Sequence, residues 1–121
     1  MDLRKIKIDG KEVEFVNAFR GTRSGFAHDT TMFIDGRKVA EATCHYLNRT
    51  WECYTYQTVM LKAVYELIEQ ETEYLKNRFL KINGYKKMTA QRKAVFEEEC
   101  RQNVNLAFYE QIRADLHRRH A

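Results

Sequence analysis

The chain has 121 residues, a net charge of +4, and a composition that is 44% hydrophobic and 31% charged. That is one domain with a single modest core, not a disordered tail and not a membrane-spanning protein, because no apolar run approaches the ~20 residues a bilayer requires. The basic excess, 21 Lys and Arg against 17 Asp and Glu, is too mild to demand a nucleic-acid footprint.

The N-terminus leads directly into a strand pattern without a signal-peptide core, and the three cysteines (Cys44, Cys53, Cys100) are odd in number and widely spaced. Both features fit free thiols in a reducing compartment, so an intracellular, cytoplasmic location is expected.

A short internal echo opens the chain: Ile8-Asp9-Gly10-Lys11-Glu12-Val13 returns as Ile34-Asp35-Gly36-Arg37-Lys38-Val39. Asp-Gly between alternating runs predicts type I′ hairpin turns, which need positive φ at both central residues. Two-residue loops pair Ile6 with Val13 on one face of the first hairpin, and set Lys7 opposite Glu12 and Lys5 opposite Glu14 on the other. In the second hairpin the same rule sets Met32 opposite Val39 and puts Phe33 on a face with Ala40, Ala42, Cys44 and Tyr46. Those small residues leave room for a helix. The prediction is a four-stranded antiparallel meander at roughly 3–8, 12–19, 30–35 and 37–47.

Beyond Thr50, a candidate N-cap, the apolar spacing changes to three and four: Tyr56, Val59, Met60, Ala63, Val64, Leu67, and onward to Phe79 and Ile82. Asn83-Gly84 supplies a stop. Thr89 caps a second predicted helix carrying Val95, Phe96, Cys100, Val104, Phe108, Ile112 and Leu116.

The fold class is therefore α+β, a single domain over 1–121, with the sheet in 1–50 and two long helices in 51–121 forming an antiparallel helical hairpin. A helix over 51–82 would be ~48 Å long, against a compact diameter of ~35 Å. It must overhang the sheet or bend near Glu69-Gln70-Glu71-Thr72-Glu73. Apolar stripes on that arm either form core or pair with a partner, including a second copy of the chain.

Catalytic chemistry finds little support. His117 and His120, or Cys44-His45 with Cys53, lack metal-ligand spacing, so no metal and no cofactor is expected. Cys44 and His45 are strand neighbours and point to opposite faces. Cys53 with His45 has no third group to orient it, and Asp35, Glu41 and Glu52 are scattered. The chain reads as a non-enzyme with no catalytic residues.

Binding chemistry has better candidates. Arg20-Gly21-Thr22-Arg23-Ser24-Gly25 reads as a flexible basic loop, either a connector or a phosphate cradle, with Phe26 and His28 after it available to stack on a base or to plug the core. At the strand-to-helix junction, Arg49 can lie over Trp51 or Tyr54. That block either clasps the sheet to the helix or contacts a ligand. The candidate contacts for a partner or for RNA or DNA are Arg20, Arg23, Arg37, Lys38, Arg49 and Trp51.

Four segments then carry a resemblance: Ser24-Gly25-Phe26-Ala27-His28, Phe33-Ile34-Asp35-Gly36, Tyr46-Leu47-Asn48-Arg49-Thr50-Trp51-Glu52 and Tyr56-Gln57-Thr58-Val59. The pattern, over roughly residues 13–68, resembles short proteins of bacteriophages and other bacterial mobile elements. Small proteins of such elements are often host-directed inhibitors, including anti-CRISPR proteins. The resemblance thus implies a host or defence-system partner such as a CRISPR effector nuclease or its guide RNA, and brings no enzymatic activity with it. The basic balance departs from the acidic surface of a DNA mimic. A nucleic-acid-binding accessory protein is the alternative, and a small nuclease or hydrolase the third.

Overall fold

The computed structural model of the chain describes residues 2–47 and 56–120. Four strands, β1 (Asp2–Ile8), β2 (Lys11–Thr22), β3 (Gly25–Ile34) and β4 (Arg37–Leu47), form an antiparallel sheet in sequence order. Three helices follow: α1 (Tyr56–Asn83), α2 (Ala90–Arg101) and α3 (Val104–His120). The class is α+β, as the hydrophobic pattern requires. The second predicted helix is two.

Asp9-Gly10 and Asp35-Gly36 all have positive φ, from 49° to 81°, which is the backbone that a type I′ turn demands. Ile6 pairs with Val13, Lys7 with Glu12 and Lys5 with Glu14. The two turns lie side by side, because Asp35 N–H donates to the Glu12 carbonyl at 2.8 Å and Glu12 N–H donates to Asp35 Oδ1 at 2.9 Å.

Two sheet expectations change. The segment from Arg20 to Gly25 is no flexible loop: β2 continues to Thr22, β3 begins at Gly25, and only Arg23 and Ser24 turn. Alternation simply continues, with Phe19 opposite His28 and Phe26 opposite Gly21, where a missing side chain leaves the aromatic ring space. In the second hairpin the register slips between Met32 and Phe33, so Met32 opposes Ala40 and Phe33 opposes Lys38. The one-residue bulge at Val39 reverses which side chain faces inward. Met32 is fully buried with Ala40 and Ala42, while Phe33 is half-buried on the opposite face.

Helix α1, 28 residues and ~42 Å long, overhangs the sheet. Its first half buries Val59, Met60, Ala63, Val64 and Leu67 against Val13, Phe15, Met32, Ala40 and Ala42. Ala40, Ala42 and Ala63 let the helix approach closely, and each large apolar side chain sealed there contributes about 1.5–3 kcal/mol. Its second half carries Leu75 and Phe79 into a separate cluster with Phe96 of α2 and Leu106 of α3.

A Schellman motif ends α1: Gly84 has φ 69°, and Tyr85 N–H donates to the Leu80 carbonyl at 2.9 Å. The Thr89 hydroxyl caps α2, accepting from Arg92 N–H at 3.3 Å. The helix predicted from Thr89 to Leu116 breaks at Gln102–Asn103, where Asn103 Oδ1 accepts from Leu106 N–H at 3.0 Å and starts α3. An amide side chain competes well for such orphan N–H groups, and the break turns Leu106 back onto Leu75 and Phe79. It is α3 that folds back along α1, bringing Phe108, Ile112 and Leu116 to the sheet core. The Thr50 cap and helix residues 51–55 lie outside the described residues.

Candidate functional site

The β2–β3 turn, the end of β4 and the start of α1 meet at one end of the sheet. Leu47 pairs with Gly25 there, and the ring of Tyr56 in the first turn of α1 lies 5.0 Å from that of His28. Strand alternation puts Phe19, Phe26 and His28 on the helix-covered face, with ring centroids 5.3–6.1 Å apart. His28 and Tyr56 meet edge to face, the arrangement favoured by ring quadrupoles. Phe19 remains 57% exposed at the outer edge of this cluster.

Deeper on the same face the floor is polar. Asn17 and Thr30 are directly paired and both buried. Asn17 Nδ2 donates to Asp2 Oδ2 at 2.9 Å and lies 3.5 Å from Met60 Sδ. That hydrogen bond is the chief reason the Asp2 carboxyl titrates below its ordinary value. Among the described residues, Asn17 Oδ1 and Thr30 Oγ1 find no protein partner. Buried acceptors of this kind are what an internal water satisfies.

On the opposite face of the same end, Arg20 Nε donates to Asp29 Oδ2 at 2.8 Å, and the Thr43 hydroxyl donates to Asp29 Oδ1 at 2.6 Å. Lys62 of α1 donates to the Thr43 carbonyl at 2.7 Å, tying helix to edge strand. The Arg20 hydrogen bond, then that of Thr43, holds the Asp29 carboxyl below its usual range. Burial pushes the His28 imidazole below its ordinary value, opposed by the negative charge of Asp29. His28 is thus held toward its neutral form.

Among the described residues, the predicted contacts Arg20, Arg23, Arg37 and Lys38 do not gather in one place. Arg20 and Arg23 lie at this end, Arg20 committed to Asp29 and Arg23 exposed in the turn. Arg37 and Lys38 lie at the other end, about 23 Å of strand away along β3, with Lys38 Nζ 3.1 Å from Glu41. Arg49 and Trp51 lie outside the described residues.

Sequence reasoning missed the grouping of Phe19 with Phe26 and His28, and of Asp29 with Arg20 and Thr43, because β2 was ended at residue 19 and β3 begun only at residue 30. Alternation carried through Thr22 and back from Gly25 would have grouped Phe19 with Phe26 and His28. It also missed that Cys44, whose neighbour His45 points away, is paired across the ladder with His28. Cys44 is a free thiol. No group of three or more His, Cys, Asp or Glu side chains gathers as metal ligands among the described residues. No described helix is long and apolar enough to cross a membrane.

What the described residues at this end of the sheet offer chemically is an aromatic surface with a basic turn beside it. No protein-family model matches the chain, and neither a curated protein nor a solved structure matches it.

Proposed function

We propose that this is a non-enzymatic binding protein of a phage or mobile element, which seats the β2–β3 end of its sheet on a host or defence-system protein. A CRISPR effector nuclease is the expected class of target, and inhibition the expected consequence. The observation that carries this reading is Phe19, 57% exposed although the rings of Phe26 and His28 pack against it and Tyr56 backs His28. A large aromatic side chain held rigidly in solvent loses little conformational freedom on binding, the property of an interface anchor. Arg23 in the adjacent turn adds a charged rim.

Nucleic-acid binding is the second reading, since stacked rings beside arginine also suit a single-stranded chain. It is less well supported, because Arg20 is neutralised by Asp29 and the other described basic candidates, Arg23 against Arg37 and Lys38, are divided between two ends of the sheet.

Target cleavage by a panel of purified RNA-guided nucleases, with and without the protein, tests the proposal. At least one nuclease should be slowed, and Phe19→Ala should weaken that inhibition by about tenfold or more. Binding to single-stranded RNA, titrated at two salt concentrations, separates the second reading: affinity that falls steeply with salt would replace the first. A panel left wholly uninhibited sinks the inhibitor reading.

A further inference from the structure

The arm formed by the second half of α1, α2 and the start of α3 carries an exposed face that the sheet end does not explain. Ile82, Val95 and Val104 are 74%, 56% and 80% exposed, all on this arm. Two grooves, of about 410 and 660 Å³, lie along the α1–α2 crossing and share Phe79, Asn83 and Glu99 in their walls. Ile82 opens onto the first and Val95 onto the second.

The charge order along α2 is the second observation. Lys86, Lys87, Arg92 and Lys93 precede or occupy its first turn, which holds no acidic residue, and Glu97, Glu98 and Glu99 follow toward its C-terminus. The basic start opposes the helix macrodipole, while in the last turn Arg101 complements it and Glu98 and Glu99 oppose it. A helix start with basic residues and no acid in its first turn calls for a compensating contact.

We propose that two copies of the chain pair through α2, antiparallel and related by a two-fold axis beside Val95. At helical spacing, Val95 has Arg92 three residues before it and Glu99 four residues after it, on the same side of the helix. Reversing the partner therefore sets Arg92 of each copy opposite Glu99 of the other, with Val95 against Val95 between them. One such stripe is self-complementary, which is the condition for a closed two-fold interface.

Arg92 is prepared for this role. Its guanidinium stacks 3.7 Å from the Tyr85 ring, and one nitrogen donates to the Lys87 carbonyl at 3.0 Å, so its orientation is set before a partner arrives. Glu98 is engaged by Arg101, whereas Glu99 makes no ion pair among the described residues. Val95 at the centre shields the paired charges, and the opposed helix directions place each dipole end beside its opposite. This surface is separate from Phe19, so the pairing stands or falls independently of the proposed function.

Sedimentation of the full chain, up to on the order of 100 µM, reads the association. The wild type should form a dimer that weakens as salt rises. Val95→Asp, Arg92→Glu and Glu99→Arg should each weaken it by at least about tenfold, with unchanged circular dichroism. The deciding mixture combines Arg92→Glu with Glu99→Arg. Each acid then meets an arginine in both halves of the interface, and a heterodimer should form where neither variant self-associates. Phe19→Ala should dimerise like the wild type. A wild type that stays monomeric overturns the pairing and leaves the face to a different macromolecule. A mixture that stays monomeric, or a Val95→Asp variant as dimeric as the wild type, overturns it equally.

Discussion

Asp29 shows how a single carboxylate organises the outer face of the sheet. It takes the Arg20 guanidinium on one oxygen and the Thr43 hydroxyl on the other, so β2, β3 and β4 are joined by one side chain. Both partners stabilise the ionised form, and the native pKa is depressed. The sign follows: the stabilisation is complete above the unfolded value, near 3.8, and disappears as pH falls through the lower native value. Because both side chains of the ion pair are partly exposed, screening keeps its contribution small. Asp29→Asn should therefore cost about 1 kcal/mol in urea unfolding at pH 7. The gap from the wild type should close in acid. A gap that persists unchanged well below the unfolded pKa would show that packing, not charge, is responsible. None of this was legible in the sequence, where residue 29 fell in a presumed connection and its partners are nine and 14 positions away.

At the scale of elements, the decisive positions are those where the chain changes direction. The Asp-Gly turns, the Gly84 stop and the Thr89 cap were all readable, because each rests on a backbone geometry that few residue types adopt. Asn103 carries the same kind of signal, masked by an apolar periodicity that runs straight through it. Its side chain accepts from Leu106 N–H and its carbonyl from Ala107 N–H, and together they start α3. Replacing Asn103 by Ala should cost about 1 kcal/mol in thermal or urea unfolding. No loss of stability would mean that tertiary packing alone sets the break. The Val39 bulge was less accessible still. Nothing local distinguishes Phe33 from Met32 as the inward residue, and the choice is made by which side chain fills the space beneath α1.

The whole molecule has two apolar centres on one long helix. The larger lies between the sheet and the first half of α1 with α3, and the smaller joins Leu75, Phe79, Phe96 and Leu106. Ile68 and Tyr109 touch both, and α3 contributes to each. The smaller centre should open at lower free energy than the larger, since far fewer buried side chains hold it. Phe96→Ala should cost about 3–5 kcal/mol of local stability and speed amide exchange in α2, while β2 and β3 remain protected. Uniform loss of protection across the sheet would instead make the molecule one cooperative unit.

An overhang or a bend was foreseeable from length, because a helix of ~42 Å exceeds the ~35 Å diameter of a compact chain this size. The meander, the first hairpin's register and the helix-facing small residues were likewise determined by the sequence, through periodicity and turn chemistry that act over a few residues. The inward choice of Met32, the split between α2 and α3, and the grouping of Phe19 with His28 and Tyr56 were decided only by tertiary structure. Each depends on side chains that are distant along the chain competing for one volume, and no local pattern records the outcome of that competition.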